Sequence, residues 1–563
     1  MKQVIKVFII IFLAASSCEF LDEEPLGNPV ASEFYSSLNE VQLGVNAVYE
    51  TLTRSNFQLS YAYIGTGRGD NMVVVETQRF SQNAELFNME QNSLHPLVSN
   101  FWSANYTGIF RANQVIANAS DLRVFDSNNI ETSRENLRIM IGEAKFFRAF
   151  FYFNLVRTYG AVPIKPEVLT LSGDEDNFIQ PRSTVEEVYK YIEKDLREAA
   201  IALDRRQVGG TDVGLLGKIT EGAVWSMLLK VLVYQATPGD GSEKWLQAKE
   251  VGDHIVSRTQ TLMQATDILN FEELYEDDAS ELERIKQELV YDHLTDEEFL
   301  TGISAGMGDA NNSYDLNFQY AYLNRESADF SSESVFEVNH VVLSDNSVNL
   351  SSPFHTGVNA SNILQPTKAF ASNFISDPRS SISVMTSGTT LPDGSVVGNP
   401  PFPDKTSCYK WYTLNTERAN VKNFTIMRYA DVVLLYAEAL NETGNQIAAI
   451  EEVNKVRTRA RNIVNAGDPR VSSSTDPANY GLSNYLDTRT RIWRERRIEL
   501  CFEFDRFWDL VRTDQAQSAY ASFNGVVEAE YRKEFVKGVS ELLPIPLSEI
   551  DASGGVIVQN PGY

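Results

Sequence analysis

The sequence predicts a mostly α-helical protein in which tetratricopeptide-like helical hairpins form a scaffold for a long, irregular, loop-rich face and a few short strands. Three observations predict it. Apolar residues recur at helical spacing over about 33–54, 100–159, 183–203 and 218–258, and again from about 428 to 513 with one polar break around 467–484. Residues 430–460 read as two amphipathic helices about a turn at Gly444, with Ala437 and Ala448 small where the helices must approach closely; 218–235 with 245–258 reads as a second such hairpin. Between about 301 and 423 that periodicity gives way to Ser, Asn, Gly and Pro.

The segments follow in order. Residues 1–17 carry Lys2 and Lys6, then an apolar run from Val7 to Leu13, then small residues, which is the layout of a secretory signal peptide and too short for a spanning helix. Cys18 follows Ala15, Ser16 and Ser17, the setting in which bacterial lipoproteins are cleaved and acylated, although Ala15 stands where Leu is usual. The alternative is a soluble exported protein in which Cys18 is incidental. In the 183–203 helix Ser183 can cap and Glu186 takes the capping-box position, with Val185, Val188, Ile192 and Leu196 as one apolar stripe. An exposed acidic helix is expected within 271–296. Within the irregular tract, 334–340 alternates as a short strand. A structureless tract of that length inside a compact protein is read as functional. The expected organisation is a signal peptide at 1–17, an N-terminal helical region at 18–260 and a C-terminal region at 261–563, forming one compact body.

Composition excludes several classes. A formal charge of −27 repels phosphate backbones and argues against nucleic acid as a partner. Beyond Cys18 there are only Cys408 and Cys501, and Cys501, set among apolar and aromatic residues, is expected as a buried free thiol. The five histidines show no metal-ligand spacing, and no metal or cofactor is expected. There is no phosphate loop or nucleophile elbow; Gly65, Gly67 and Gly69 mark a mobile loop, and 309–315 lacks the closing residues of a calcium loop. With 76 Asp and Glu, a pair of carboxylates spaced for glycoside hydrolysis can always be found, so finding one carries no information. The chain is not expected to be an enzyme.

The densest segment is 491–512, read as a helix with Arg and Glu interleaved for ion pairs and with Phe504, Trp508 and Val511 turned inward. Its residues Glu495, Arg496, Arg497, Glu499, Leu500, Phe502, Glu503, Arg506, Asp509, Leu510 and Arg512 resemble the hallmark of the SusD/RagB family of Bacteroidetes nutrient-uptake lipoproteins, roughly E-R-R-x-E-L-x-F-E-x-x-R-x-x-D-L-x-R. The resemblance extends through Trp102, Tyr106 and Asn113, through 143–163 and 423–439, to the terminal 543–546 and 559–563. The acidic stretch 19–25 likewise resembles a surface-export tag of such lipoproteins. The resemblance implies a cell outer-membrane lipoprotein, palmitoylated at Cys18 and facing the exterior. It would bind carbohydrate without cleaving it, and pass an oligosaccharide, or less often a peptide, to a TonB-dependent SusC-like transporter.

Sugar capture needs flat aromatic faces and planar polar groups, and these are expected in loops. The candidate ligand-binding residues are Asp70, Arg79, Trp102, Tyr314, Tyr320 and Trp411, and the structural hallmark is Arg497, Glu499 and Arg506. Two rivals stay open: a lipid-anchored glycoside hydrolase with a carboxylate pair across a groove, and a repeat scaffold that binds only proteins.

Overall fold

In a computed structural model the described residues are 34–74, 81–120, 122, 129–165, 179–203, 217–257, 274, 278–300, 333–340, 364–372, 377–389, 396, 406–410, 423–461, 477–527 and 529–563. The molecule is mostly helical, with three two-stranded antiparallel ribbons among the described residues. The chain opens with α1 (Leu38–Thr53) and α2 (Ser55–Ala62), continues through a π-type turn (Tyr63–Gly67) into β1 (Met72–Val74), and then forms α3 (Ser81–Asn88), α4 (Pro96–Ala119) and α5 (Ile130–Tyr159). Next come α6 (Val185–Ala202), α7 (Glu221–Gln235), α8 (Glu243–Gly252) and α9 (Asp278–Glu288). The latter half contains β2 (Ser334–Val338), β3 (Leu364–Pro366), α10 (Lys368–Ser372), α11 (Arg379–Ser383), β4 (Val384–Thr386), β5 (Thr406–Cys408) and β6 (Phe424–Arg428). It closes with α12 (Tyr429–Glu442), α13 (Gln446–Arg461), α14 (Tyr485–Glu499), α15 (Arg506–Arg512), α16 (Ala516–Asn524) and α17 (Leu547–Ala552).

Sequential helices pack as neighbours. α4 lies on α5, α5 on α6, α6 on α7, and α7 on α8; α8 then meets α12, which packs on both α13 and α14. Each hairpin therefore buries its face against the next, as stacked helical repeats do. The hairpin about Gly444 is present, with Gly444 at φ 85, a left-handed position that glycine occupies without a Cβ penalty. Ala437 is fully buried between the helices. The middle of the stack is α5, whose Phe146, Phe147, Phe150 and Phe151 are buried and make edge-on, tilted or stacked contacts with one another and with Phe57 and Phe336, while the buried Phe153 meets Tyr234. Among the described residues no helix is long and apolar enough to cross a membrane.

Several boundaries differ from the sequence reading, each for a local reason. The N-cap of α6 is Thr184, not Ser183, and Glu187 rather than Glu186 closes the capping box; both pairs have the right chemistry, so spacing alone could not choose. The shift by one residue leaves Val185 44% exposed, while Val188, Ile192 and Leu196 are buried as expected. The hallmark segment is not one helix: α14 ends at Glu499, and 500–505 form a turn with Phe502 at φ 65 and Phe504 at φ 73. Cys408 and Cys501 are buried and are not joined in a disulfide.

Candidate functional site

The residues expected to face a ligand divide sharply. Arg79, Tyr314, Tyr320 and Trp411 lie outside the described residues, as do Cys18 and the 309–315 loop. Asp70 and Trp102 are described, and in both the side chain is taken up by contacts inside the protein. Trp102, 2% exposed, sits in the second turn of α4 against Tyr106 and Tyr159 and belongs to the core. Asp70 is buried between Arg506 (Nε to Oδ1, 2.7 Å) and Arg497 (Nη2 to Oδ2, 2.9 Å), an ionic structural role. Burial pushes its carboxyl up, but Arg506 and Arg497 outweigh that and hold it at about 2.

What the structure shows instead is how the irregular tract is fixed to the helices. Three of its described islands send charged side chains into or around the hallmark turn. Arg379 donates to Glu495 (2.7 Å), to Glu499 (2.8 Å) and, on its own island, to Asp377. Lys410 donates to the Glu499 carbonyl (2.9 Å) and to the Glu503 carboxylate. Glu333 accepts from Arg428 and from Arg459, and those arginines also bind Glu499 at 3.1 and 2.5 Å. Arg457 reaches Glu495 at 2.6 Å. Arg379, Lys410, Arg428, Arg457 and Arg459 thus face Glu333, Asp377, Glu495, Glu499 and Glu503, five cations against five carboxylates, with Glu495 and Glu499 wholly buried. Burial works against the charged form of Glu499, yet Arg459, Arg428 and Arg379 pull its carboxyl far below the ordinary range.

A second neutral chain runs beneath the first. Arg157 pairs with Asp505 (2.9 Å), Asp505 with Lys230, Lys230 with Asp431 (3.0 Å) and Asp431 with Arg496 (2.7 Å). Arg496 then binds Asp509, which binds Arg512, which ends on Glu438. This chain ties α5, α7, α12, α14 and α15 together. The hallmark residues Arg497 and Glu499 take separate partners. Residues two apart on a helix point to different sides, and Arg497, 30% exposed, turns to Asp70 while Glu499 turns inward. Arg496 is the fully buried arginine of the motif.

The glycine-rich stretch is likewise the reverse of a mobile loop. Residues 64–71 are buried; Thr66 Oγ1 accepts from the Phe504 amide (3.0 Å), Tyr520 Oη donates to the Arg68 carbonyl (2.6 Å), and Lys533 Nζ donates to the Gly67 and Gly69 carbonyls. A Cβ on Gly65 would stand 1.6 Å from the Phe504 carbonyl oxygen, so only glycine lets this stretch approach the hallmark turn. Gly65→Ala should accordingly cost about 1–3 kcal/mol or more through forced backbone shifts, read as a lower urea midpoint; an unchanged midpoint would show that the turn can move away.

The sequence reading missed Glu333, Asp377, Arg379, Lys410, Arg457 and Arg459. The available signal was the presence of charges within a tract dominated by Ser, Asn, Gly and Pro, or on the apolar side of a helix.

Two family models match the chain. One, described as the SusD family, covers residues 401–563, and the other, described as starch-binding associating with outer membrane, covers 19–213. Among curated relatives, SusD-like protein P2 of Formosa agariphila is 25% identical over the whole of both chains. A SusD-like protein of Bacteroides ovatus is 25% identical over 89% of this chain and 80% of its own length. Among solved structures, a SusD homolog from Bacteroides thetaiotaomicron superposes with a TM-score of 0.67 at 22% identity, covering 95% of this chain and 98% of its own. A laminarin-binding SusD-like protein superposes with a TM-score of 0.62 at 22% identity, covering 93% and 99%. The two models together span well over half of the sequence and include the hallmark turn on which both ionic chains converge, and the chain belongs to the SusD/RagB family.

Proposed function

We propose that this protein is a non-catalytic, lipid-anchored outer-membrane surface protein that captures an oligosaccharide and delivers it to a TonB-dependent SusC-like transporter. The observation that carries the reading is the attachment of the irregular tract: three separate islands of it are pinned through buried ion pairs to one region of the helical scaffold, which is how a loop-rich face is held in a defined shape for binding. Family membership supports the same reading, since one matching model describes starch-binding proteins associated with the outer membrane. Two structural neighbours are a laminarin-binding protein and a surface glycan-binding protein from Bacteroides thetaiotaomicron in complex with laminarihexaose.

The carboxylates of the hallmark turn support binding over cleavage. A glycosidase acid needs a carboxyl whose affinity for its proton is raised. Glu499, Glu503 and Asp509 are held in the opposite direction by the arginines around them, after burial is offset. Glu442 and Glu452 do shift upward through burial, yet each is bound to a cation on the scaffold helices, Arg489 and Lys455 respectively.

The reading is tested by titrating the soluble body, lacking residues 1–18, with a panel of oligosaccharides by calorimetry. We expect saturable binding of at least one glycan that is recovered intact after prolonged incubation. Shortened products would replace the proposal with a hydrolase; binding of peptides and of no glycan would move the cargo to that class.

A further inference from the structure

The two ionic chains described above are electrically balanced, but the corner around Asp70 is not. Arg497 and Arg506 share that one carboxylate, and beside it lie Arg68 and Lys533, both buried, whose described hydrogen bonds go to main-chain carbonyls and the Met89 sulfur and whose charges face the Phe507 and Phe523 rings. Three arginines therefore surround one carboxylate, with Lys533, whose ammonium burial pushes down to about 7, as a partial fourth charge, in a protein whose overall formal charge is −27.

The same corner holds side-chain donors with nothing among the described residues to donate to. β1 pairs antiparallel with β3, Val73 opposite Gln365, and the ladder is extended by the Thr367 amide donating to the Asn71 carbonyl at 3.0 Å. Directly opposed residues, and residues two apart, share a face of such a ribbon, so Asn71 and Gln365 lie diagonally on one side. Both are 1% exposed, and Asn71 Nδ2 and Gln365 Nε2 have no hydrogen-bond partner among the described residues. The Asn71 amide cannot be turned over to cure this. Its Oδ1 accepts from Arg497 Nε at 2.9 Å, and a guanidinium can only donate, so the Nδ2 group must point away. Arg497 itself is the open edge of the corner, with a Phe370 ring 5.4 Å from its guanidinium carbon.

We propose that Asn71, Gln365 and Arg497 form a subsite for an anionic substituent on a sugar ring, a carboxylate or a sulfate. The argument is one of matching. A neutral hydroxyl brings a donor as well as an acceptor, whereas the orphaned amides and the open edge of Arg497 offer donors only. A deprotonated carboxylate or a sulfate ester brings acceptors only, carries the charge that the surplus cations attract, and suits the planar fork of an arginine. The subsite rests on the glycan-binding reading above and deepens it by naming an acidic cargo.

The test measures wild type, Asn71→Asp and Gln365→Glu against three oligosaccharides of equal length: one neutral, one built of uronic acids and one sulfated. Each substitution nearly preserves shape while placing a carboxylate where the anion would sit. The carboxylate introduced by Asn71→Asp could still accept from Arg497, so the variants should fold; melting curves check this. Wild type should prefer an acidic oligosaccharide over the neutral one by about tenfold or more, and that preference should fall to near unity in either variant. The arm that is bound, uronate or sulfate, names the group. Equal affinity of wild type for neutral and acidic glycans overturns the subsite and leaves the glycan-binding reading standing, as does a preference that both substitutions leave intact. Absence of binding to all three overturns both.

Discussion

Replacing Glu499 with alanine should destabilise the protein by about 3–5 kcal/mol at neutral pH, because it strands Arg379, Arg428 and Arg459 in the interior with one carboxylate fewer. Deleting one member of a buried ionic cluster is costly even where the whole cluster contributes little net stability, since the remaining charges stay desolvated. Arg497→Ala is the control within the same motif. Its guanidinium is 30% exposed, and Asp70 keeps Arg506, so a loss of only about 1–2 kcal/mol is expected. Urea unfolding of the two variants measures the difference, and equal losses would show that Glu499 is not the centre of the frame. The effect has a pH signature. The folded carboxyl of Glu499 is held below its ordinary value of 4.5 because its three arginines outweigh burial, so its contribution is complete above about 4.5 and disappears as pH falls through the lower folded value. Asp70 adds a second acid-labile contribution between 3.8 and about 2. Wild type should therefore lose stability on acidification below about 4.5 more steeply than Glu499→Ala does.

Cys18→Ala should move the protein from the membrane to the soluble fraction and abolish incorporation of labelled palmitate. A single acyl chain binds a bilayer only marginally and two or more hold durably, so removal of the sole attachment residue should be close to all-or-none. The variant is followed by fractionation in high salt, where electrostatic adhesion is screened. Variant protein that stayed membrane-bound under those conditions would contradict lipid anchoring.

Much of the scaffold was legible because it depends on local pattern. Val188, Ile192 and Leu196 are buried because helical spacing places them on one face, and Gly444 ends its helix because the turn needs a positive φ. The hallmark could be read as an Arg/Glu network, but its partners could not. Arg379 meets Glu499 across 120 residues of sequence, and Arg506 meets Asp70 across 436. Nothing local says that an aspartate in a glycine-rich stretch will be covered by arginines from the far end of the chain, so Asp70 read as a ligand contact and the stretch as mobile. The break after Glu499 was hidden for a similar reason. Leu500, Cys501 and Phe502 continue an apolar pattern, and the positive φ values at Phe502 and Phe504 are sustained by tertiary contacts, among them the Thr66 hydrogen bond and the fit against Gly65. Trp102 shows the ambiguity of aromatics: a large flat ring suits a sugar or a core equally, and its spacing to Tyr106 on one helical face was the feature that favoured the core.

We propose that the protein delivers its cargo to a separate pore; among the described residues no helix is long and apolar enough to cross a membrane. A lid that traps cargo over a barrel needs a broad, long-lived interface, commonly about 2,000 Å² or more, so the complex should survive gentle extraction. The decisive measurement is affinity capture of the lipidated protein from outer membranes solubilised in several mild detergents, with ligand present and with Cys18→Ala as the control. A TonB-dependent barrel should co-purify in near-equal amount. Recovery of the protein alone under every condition would contradict delivery to a transporter and leave an unpartnered surface binder.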